Sequence, residues 1–226
     1  MLITLVIPTL NEEKNFKIIS HNSKLHNFSQ IIVVDGGSTD KTKNKIKNFN
    51  FKLVKTLPSR GRQLREGAKK SNSEWLLFIH ADTMLNKNNV YELVNFINNK
   101  KNIKKAGFFK LKFDSKLKSA KIISCWANIR NLIFRLPFGD QCLLINRKYY
   151  FYLGAHKSIN IMEDIEFILR VPYKNRFLFQ SCVKTSFEKY KEKGIIRQCF
   201  LHFFCQTLFF LRFSNQKIFR FYKKYG

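Results

Sequence analysis

Acidic residues are scarce in this sequence. The chain has 15 Asp and Glu against 42 Lys and Arg, which gives a formal net charge of +27 over 226 residues. An excess of this size indicates an anionic partner, such as nucleic acid, an anionic membrane surface or a phosphorylated substrate. Compositional bias is the competing explanation, because Lys, Asn, Ile and Phe are abundant along the whole chain. The meaning of each basic residue therefore depends on its surroundings.

Paired cysteine motifs and long apolar runs are missing as well. The five cysteines form neither a CxxC pair nor a zinc-finger spacing, which favours free thiols in the reducing cytosol. The chain starts on the apolar run Leu2–Ile7 without a preceding basic segment, so we expect no signal peptide. No uninterrupted apolar run reaches the roughly 18–20 residues that span a bilayer. We expect a cytoplasmic protein, with peripheral contact at the inner face of the cell membrane as an open alternative.

The first half of the chain alternates between strand and helix patterns. Short apolar runs bounded by turn residues predict strands at Leu2–Ile7, Gln30–Val34, Phe51–Lys55 and Glu74–Ile79. The segments between them predict helices, one capped by Asn11 and another following a loop at Pro58–Arg62. This alternation predicts an α/β fold with a mostly parallel, Rossmann-like sheet flanked by helices.

The second half of the chain has a looser pattern. It predicts strands within residues 105–113 and 177–185, and helices over residues 88–98, 117–134 and 161–171. No repeat, linker or low-complexity segment divides the chain. We therefore predict one structural unit, in which residues 1–194 form the domain and residues 195–226 form a C-terminal apolar and basic helical extension.

The predicted strand Glu74–Ile79 is followed by His80, Ala81 and Asp82. Open α/β sheets bind ligands at the carboxyl ends of their strands. A carboxylate in that position can hold a divalent cation against a phosphate, because hard cations prefer oxygen ligands. The sequence therefore makes Asp82 a candidate metal ligand.

Two earlier strands also end in polar residues. Pro8–Glu13 offers a hydroxyl, an amide and backbone N–H groups to a ligand, although a plain helix cap explains the segment equally well. In Val33–Asp40, Asp35 can accept hydrogen bonds from a base or ribose, while Gly37 permits close backbone approach and Ser38 adds a hydroxyl. This segment is neither a GxGxxG fingerprint nor a GxxxxGK[ST] phosphate loop. A turn that leads into a helix is the alternative.

Three later segments carry further candidates. Arg60 and Arg62 flank a glycine near a predicted helix N-terminus, which suits a phosphate clamp or else a solvated basic loop. Phe138–Gln141 suits the recognition of sugar hydroxyls or else forms a β-turn. The acids Glu163 and Asp164 begin a predicted helix, where acids are also favoured by the helix dipole.

Taken in order, six fragments resemble the glycosyltransferase family 2 proteins with the GT-A fold, and especially a compact bacterial subgroup of them. The fragments stand at Pro8–Glu13, Val33–Asp40, Gly61–Ala68, Leu76–Thr83, Phe138–Gln141 and Glu163–Asp164. The resemblance covers roughly residues 2–190 and implies a GT-A domain over residues 1–194. It implies an enzyme, of the hexosyltransferase type, that uses a nucleotide-diphosphate-sugar donor.

The resemblance also assigns roles to residues. The donor nucleotide would be bound by Pro8, Thr9, Asn11, Glu12, Asp35, Gly37, Ser38, Arg60 and Arg62. Asp82 would be the last acid of a DxD-type motif that binds Mg2+ or Mn2+. His80 replaces the first acid, and either ligates the metal, which suits Mn2+ better than Mg2+, or only hydrogen-bonds nearby. The acceptor or sugar would be held by Gly139, Asp140, Gln141 and Glu163. Asp164 would be the general base of an inverting single displacement.

Other functions stay open at this point. A nucleotidyltransferase would also use Asp82 and a metal, but would normally carry a glycine-rich loop near its N-terminus. A homologue that binds a nucleotide-sugar but has lost activity is another alternative, because His80 replaces the first acid of the DxD-type motif. A basic nucleic-acid-binding protein fits the charge, but no RNP, KH or zinc pattern is present, so we expect no nucleic acid partner. A QxxRW motif is absent, which disfavours a processive polysaccharide synthase, and 186–190 departs from the Arg-Arg-Trp-like segment of relatives.

The C-terminal extension is dominated by apolar residues until Arg212. Gln198, His202 and Gln206 recur every four residues and form one narrow polar stripe on the predicted helix. The helix either lies in the membrane interface, with its basic, aromatic tail on anionic headgroups, or packs on the domain or on a second copy in a homodimer. The membrane alternative fits a lipid-linked acceptor in cell-envelope glycan assembly.

Overall fold

The computed structural model describes residues 2–26 and 28–226. Its strands are β1 Ile3–Thr9, β2 Gln30–Asp35, β3 Lys52–Lys55, β4 Trp75–Phe78, β5 Thr83–Met84, β6 Ala106–Phe113, β7 Leu143–Asn146 and β8 Arg176–Thr185. Its helices are α1 Phe16–Lys24, α2 Thr42–Lys47, α3 Arg60–Lys70, α4 Lys87–Asn98, α5 Lys118–Phe134, α6 Arg147–Tyr152, α7 Glu163–Arg170, α8 Glu188–Lys193, α9 Ile195–Phe210 and α10 Asn215–Tyr225.

The strands form one sheet in the order β3-β2-β1-β4-β7-β6-β8-β5. The strands β1 to β4 are parallel to one another, and β6 is parallel to β8. β7 runs antiparallel between β4 and β6, and β5 is antiparallel to β8. The predicted α/β fold with a mostly parallel sheet flanked by helices is confirmed.

The central strands are buried on both faces, as their continuous apolar runs predict. In β1 the side chain of Ile7 packs into one core cluster and that of Val6 into the cluster on the opposite face. Helix α3 lies directly on this second face at Gly67, where a Cβ atom would collide with Val6 and Val34. The glycine thus lets helix and sheet approach closely, which brings the first turn of α3 to the sheet edge.

Two predicted boundaries are wrong. Asn11 does not cap a helix, because its φ of 56° is left-handed and α1 begins only at Phe16, after a 3-10 turn. Asparagine tolerates this conformation, which turns the chain sharply at the end of β1. The predicted loop Pro58–Arg62 is also shorter, since α3 begins at Arg60 after an extended Ser59. Both arginines therefore lie in the first helical turn.

The C-terminal extension forms two helices where the sequence predicts one. The break falls at Arg212, whose φ is 62°, and Ser214 caps α10. The two helices pack on each other and on the loop before α7, where the Asn215 amide donates a 2.6 Å hydrogen bond to the carbonyl of Ile161. Within residues 2–26 and 28–226, none of the helices combines the length and the apolar character needed to traverse a bilayer.

The contact at Gly67 gives a test of the packing. We expect Gly67→Ala to lower the free energy of unfolding by about 1–3 kcal/mol, because the added methyl group has no room between α3 and β1. Urea denaturation would measure the loss. Lys70→Ala, at an exposed position of the same helix, should change stability by less than about 0.5 kcal/mol. Equal stability of the two variants would contradict the close approach.

Candidate active site

The carboxyl ends of β1, β2 and β4 meet at one edge of the sheet. Thr9 and Asp35, the last residues of β1 and β2, are paired in register, and the chain reaches His80 and Asp82 just after β4. Because parallel strands point the same way, the polar groups that follow them line a common cleft. Four of the predicted donor and metal residues are thus brought together by the sheet itself.

Asp35 organises the loop that follows β2. Its carboxylate is buried and accepts hydrogen bonds from the backbone N–H of Gly37 at 3.1 Å and of Ser38 at 3.0 Å. The Ser38 hydroxyl also donates to it. Gly37 has a φ of 99°, which only glycine adopts easily. The structure therefore holds this loop in one shape, with the carboxylate of Asp35 at its centre.

The loops after β1 and β2 are tied to each other. The amide oxygen of Asn11 accepts a hydrogen bond from the N–H of Thr39 at 2.9 Å, and the N–H of Asn11 donates to the Ser38 hydroxyl at 2.9 Å. Beneath them, the buried amide of Gln63 donates to the carbonyls of Thr9 and Val34, each at 2.8 Å. Gln63 lies in the third of the six fragments but was not predicted as a site residue. Its role is to lock the two strand ends in register.

Gly139 joins the second group of predicted residues. Its N–H donates a 2.7 Å hydrogen bond to the carboxylate of Asp164, and a Cβ atom at this position would collide with the imidazole of His80. The other carboxylate oxygen of Asp164 accepts from the N–H of Ile165 at 2.7 Å. Three segments distant in the chain therefore meet here, namely the end of β4, the 3-10 turn at 139–141 and the start of α7.

Several carboxyl groups of this edge are held toward their neutral form. Burial raises the pKa of Glu163 to about 8, with a further contribution from Asp164 and a partial offset from Arg60. Burial also raises the pKa of Asp140 to about 7, against the opposing charge of Arg130. The pKa of Asp82 is raised by burial and only partly offset by Arg60. The edge therefore holds more acid groups than its cations neutralise.

The positive charges of Arg60 and, more weakly, of Lys189 oppose the rise in the pKa of Asp82. The Nε of Arg60 lies 3.7 Å from a carboxylate oxygen of Glu163. Lys189 belongs to α8, which follows β8, and the N–H of Ser186 in the same segment donates to the Asp82 carbonyl at 3.2 Å. Lys189 was not predicted as a site residue. The only sequence signal for it was the basic and aromatic character of 186–190.

Some predicted residues are turned inward. Gln141 is fully buried, and its amide donates to the Phe109 carbonyl at 3.1 Å and accepts from the Phe138 N–H at 3.0 Å. The Thr9 side chain is also buried. It is the last residue of β1, a strand that is buried throughout and includes Pro8. In this structure these side chains stabilise the walls of the cleft. Any contact with a ligand there would come from their backbone.

Glu12 and Arg62 complete the predicted donor side. Glu12 is half-buried, and burial raises its pKa. A hydrogen bond from Asn15 lowers the pKa in part, and the negative charge of Asp82 raises it further. It thus faces the cleft near Asp82. Arg62 is partly buried on α3, and no described acid forms an ion pair with it. The phosphate clamp predicted from two arginines therefore has one of them, Arg60, beside the acid groups.

The described residues contain no cluster of three or more His, Cys, Asp or Glu side chains arranged to hold a metal ion. Among the residues predicted to bind a metal, Asp82 provides a hard oxygen ligand, near the positive charge of Arg60. Burial, with the charges of Arg60 and Lys189, holds the pKa of His80 well below its ordinary value, so the imidazole is neutral. This donor set fits a cation that takes its remaining ligands from bound phosphates or water, as Mg2+ commonly does.

The sequence of this chain is similar to that of a known protein family and of a curated protein. A protein-family model described as "Glycosyl transferase family 2" matches residues 4–151. A curated protein of Methanococcus voltae, named UDP-N-acetylglucosamine--dolichyl-phosphate N-acetylglucosaminyltransferase, is 43% identical over 56 residues. That match covers 25% of this chain and 19% of the archaeal protein.

Solved structures of low sequence identity share the fold. S. aureus TarS 1–349 in complex with UDP-GlcNAc has a TM-score of 0.63 and 17% identity, over 82% of this chain and 58% of that one. The mannosyltransferase PcManGT from Pyrobaculum calidifontis, in complex with GDP-Man and Mn2+, has a TM-score of 0.63 and 14% identity, over 81% and 56%. The chain thus spans less than two thirds of these relatives, and the likeness confirms the GT-A fold.

The pH dependence of stability should report the buried acids. The folded protein favours the neutral carboxyl of Glu163, whose pKa is about 8 against 4.5 in an ordinary glutamate. The contribution of this group to stability is therefore fully present below the ordinary pKa and is lost as the pH rises through the folded pKa. We expect the free energy of unfolding to fall between about pH 5 and 8, with Glu163 contributing a slope of at most about 1.4 kcal/mol per pH unit.

Glu163→Gln should flatten this slope, since glutamine is neutral at every pH. Urea denaturation across the pH range would measure it. Glu188→Gln removes an exposed acid of α8 and should leave the slope unchanged. A Glu163→Gln slope equal to that of the unmodified protein would show that Glu163 is not held neutral by burial.

Proposed function

Because this chain belongs to glycosyl transferase family 2, we propose that it moves a sugar from a nucleotide-diphosphate-sugar to an acceptor hydroxyl. The observation that carries the proposal is the meeting of Asp82, Asp164 and Arg60 at the carboxyl edge of the sheet. A cation-binding carboxylate, an oriented base and a phosphate-binding cation are the three groups that such a transfer needs. Neither a nucleotidyltransferase nor a nucleic-acid binder calls for Asp164 in this position.

The donor lies along the ends of β1 and β2. Support comes from the relatives, since TarS and PcManGT are crystallised with UDP-GlcNAc and GDP-Man. We assign the nucleotide to the cleft formed by Pro8, Thr9, Asn11, Glu12, Asp35, Gly37, Ser38, Arg60 and Arg62. The positive charges of Arg60 and Lys189 beside Asp82 suit the two phosphates of the donor.

The cofactor of the proposed reaction is Mg2+ or Mn2+, held by Asp82 together with the donor phosphates. When bound, the cation neutralises the charge that develops on the leaving diphosphate. PcManGT is crystallised with Mn2+, which supports the proposal. His80 is the one other candidate ligand on this strand end, and its neutral imidazole is the form that binds metal. Its packing against Gly139 suits a residue that shapes the sugar pocket equally well.

Asp164 acts as the general base. It removes the proton from the acceptor hydroxyl while that oxygen attacks the anomeric carbon, and the nucleoside diphosphate leaves with the bonding electrons. One displacement of this kind inverts the anomeric centre. The N–H of Gly139 fixes the direction of the Asp164 carboxylate. The neighbouring Glu163, with a pKa of about 8, is largely neutral at pH 7 and does not repel the base.

The acceptor site is formed by Gly139, Asp140, Gln141 and Glu163, with Gln141 acting through the backbone it braces. We propose a lipid-linked hydroxyl compound as the acceptor, at the cytoplasmic face of a membrane that residues 195–226 contact. The curated relative from Methanococcus voltae is named as a dolichyl-phosphate transferase, which supports a lipid-linked substrate.

The base assignment predicts a separation of binding from transfer. We expect Asp164→Asn to keep donor binding and to lower transfer by about 10²- to 10⁴-fold, because the amide cannot accept the proton. Thermal shift with UDP- and GDP-sugars measures binding, and release of nucleoside diphosphate in the presence of acceptor measures transfer. Glu74→Gln serves as the control and should retain transfer, because Glu74 is exposed and precedes β4, at the opposite end of this strand from the site. Loss of donor binding in Asp164→Asn would place this residue in the donor site instead.

The metal assignment predicts a different pattern. A panel of UDP-, GDP- and dTDP-sugars should raise the Tm of the unmodified protein in the presence of Mn2+. Asp82→Asn should abolish the part of this shift that depends on Mn2+, because it removes the carboxylate that we assign to the cation. An unchanged metal-dependent shift in the variant would remove Asp82 from the metal site. Absence of stabilisation by every donor, with or without metal, would contradict the proposed function.

A further inference from the structure

Helix α9 buries polar residues beside Leu201 and Cys205, while its outward side exposes large apolar side chains. Gln198 is fully buried, and the ring of His202 hydrogen-bonds to the Tyr190 hydroxyl at 3.1 Å. By contrast, Phe200 is 60% exposed and Phe203 is 63% exposed. An amphipathic helix on a protein in water normally has the reverse orientation. The outward side of α9 is therefore suited to an apolar environment.

Helix α5 repeats this inverted arrangement. Asn131 is fully buried, and the amide of Asn128 exchanges hydrogen bonds of 2.8 and 2.9 Å with the backbone of Leu111. On the outer side, Trp126 is 68% exposed and Leu132 is 70% exposed. Two separate helices thus bury amides and expose large apolar side chains, which a single irregular helix would not explain.

Both helices contribute side chains to the same hydrophobic cluster. Ile195, the first residue of α9, packs in one cluster with Ile123 and Ala127 of α5. We call their outward sides together the two-helix face. Its most exposed members are Ile122, Trp126, Leu132, Ile196, Phe200 and Phe203. Large apolar side chains exposed together on two helices mark a candidate interaction site.

Charge decides between the candidate occupants of the two-helix face. Residues 117–137 and 195–226 contain ten Lys and Arg and no Asp or Glu. A homodimer built on this face would be symmetric and would bring like charges against each other. An anionic bilayer instead offers acyl chains to the apolar side chains and negative headgroups to the basic ones. The membrane is therefore the occupant that both features fit.

We propose that the two-helix face docks on an anionic membrane and thereby presents the cleft to an acceptor in the bilayer surface. The inner sides of the same helices border the site. The guanidinium of Arg130 in α5 lies 3.5 Å from the ring centre of Phe138, beside the acceptor turn, and Tyr190 lies against α9. The docking surface is inferred from exposure and charge alone and does not depend on the proposed function. The presentation of a lipid-linked acceptor rests on the proposed function.

The two tryptophans make docking directly observable. Trp126 is 68% exposed on the two-helix face, whereas Trp75 is buried in the core at 2%. Phosphatidylcholine vesicles that contain phosphatidylglycerol should shift the emission to shorter wavelength and should carry the protein upward in a flotation gradient. Vesicles of phosphatidylcholine alone, or high salt, should weaken both effects, and Trp126→Phe should abolish the shift while keeping flotation.

A matched pair of variants tests which surface binds. The double variant Phe200→Ser with Phe203→Ser should weaken vesicle binding by about tenfold or more, since each buried phenylalanine contributes several-fold to partitioning. Tyr91→Ser removes an equally exposed aromatic residue from α4 and should leave vesicle binding unchanged. Both variants should keep the Tm of the unmodified protein, because the altered side chains are exposed.

The outcomes separate this proposal from its alternatives. No emission shift and no flotation with anionic vesicles would overturn it. A dimer in sedimentation that the phenylalanine variant dissociates, with Trp126 already shielded in the absence of lipid, would overturn it in favour of a second copy. Donor binding is measured without lipid, so a protein that docks but binds no donor would contradict the proposed function alone. A protein that binds donor but no vesicle would contradict docking alone.

Discussion

The crowding of carboxyl groups at one edge of the sheet is the constraint on which the rest of the site depends. Burial raises the pKa of Asp82, Asp140 and Glu163, and repulsion from neighbouring acids adds to the rise at Asp140 and Glu163. Arg60 and Lys189 offset only part of this cost. The fold tolerates these groups because neighbouring segments hold them in fixed positions. A site with this surplus of acid is one in which an added cation gains stabilisation, which agrees with the proposed metal-assisted transfer.

The same elements that build the site also build the exposed apolar surface. Helix α5 braces the acceptor turn on its inner side and exposes Trp126 on its outer side. The segment from α8 to α9 carries Lys189 toward Asp82 and Phe203 outward. The proposed membrane docking and the proposed catalysis therefore use opposite sides of shared helices. This arrangement would couple the position of the bilayer to that of the acceptor hydroxyl without any moving part.

The sequence determined the first four strands, the order of the fragments and the residues that end those strands. Apolar runs predicted β1, β2 and β4 because a strand buried on both faces needs continuous apolar residues, whereas β3 lies at the edge of the sheet and is only partly buried. The sequence placed Asp82 after a strand and Asp164 at the start of a helix, and the structure has them after β4 and in the first turn of α7. These positions could be predicted because local changes from apolar to polar residues mark where strands end and helices begin. Parallel strands then bring the ends together without further information.

The tertiary structure alone decided which side chains face the cleft. Gln141 turned inward, Gln63 became the link between two strands, and Lys189 reached the site from α8. These contacts join residues far apart in the chain, and the one from Gln141 to Phe109 depends on β7 pairing with β6. The polar stripe through Gln198 was visible in the sequence, but its direction was not. A periodic pattern records which residues share a side of a helix, whereas only the packed neighbours determine whether that side is buried.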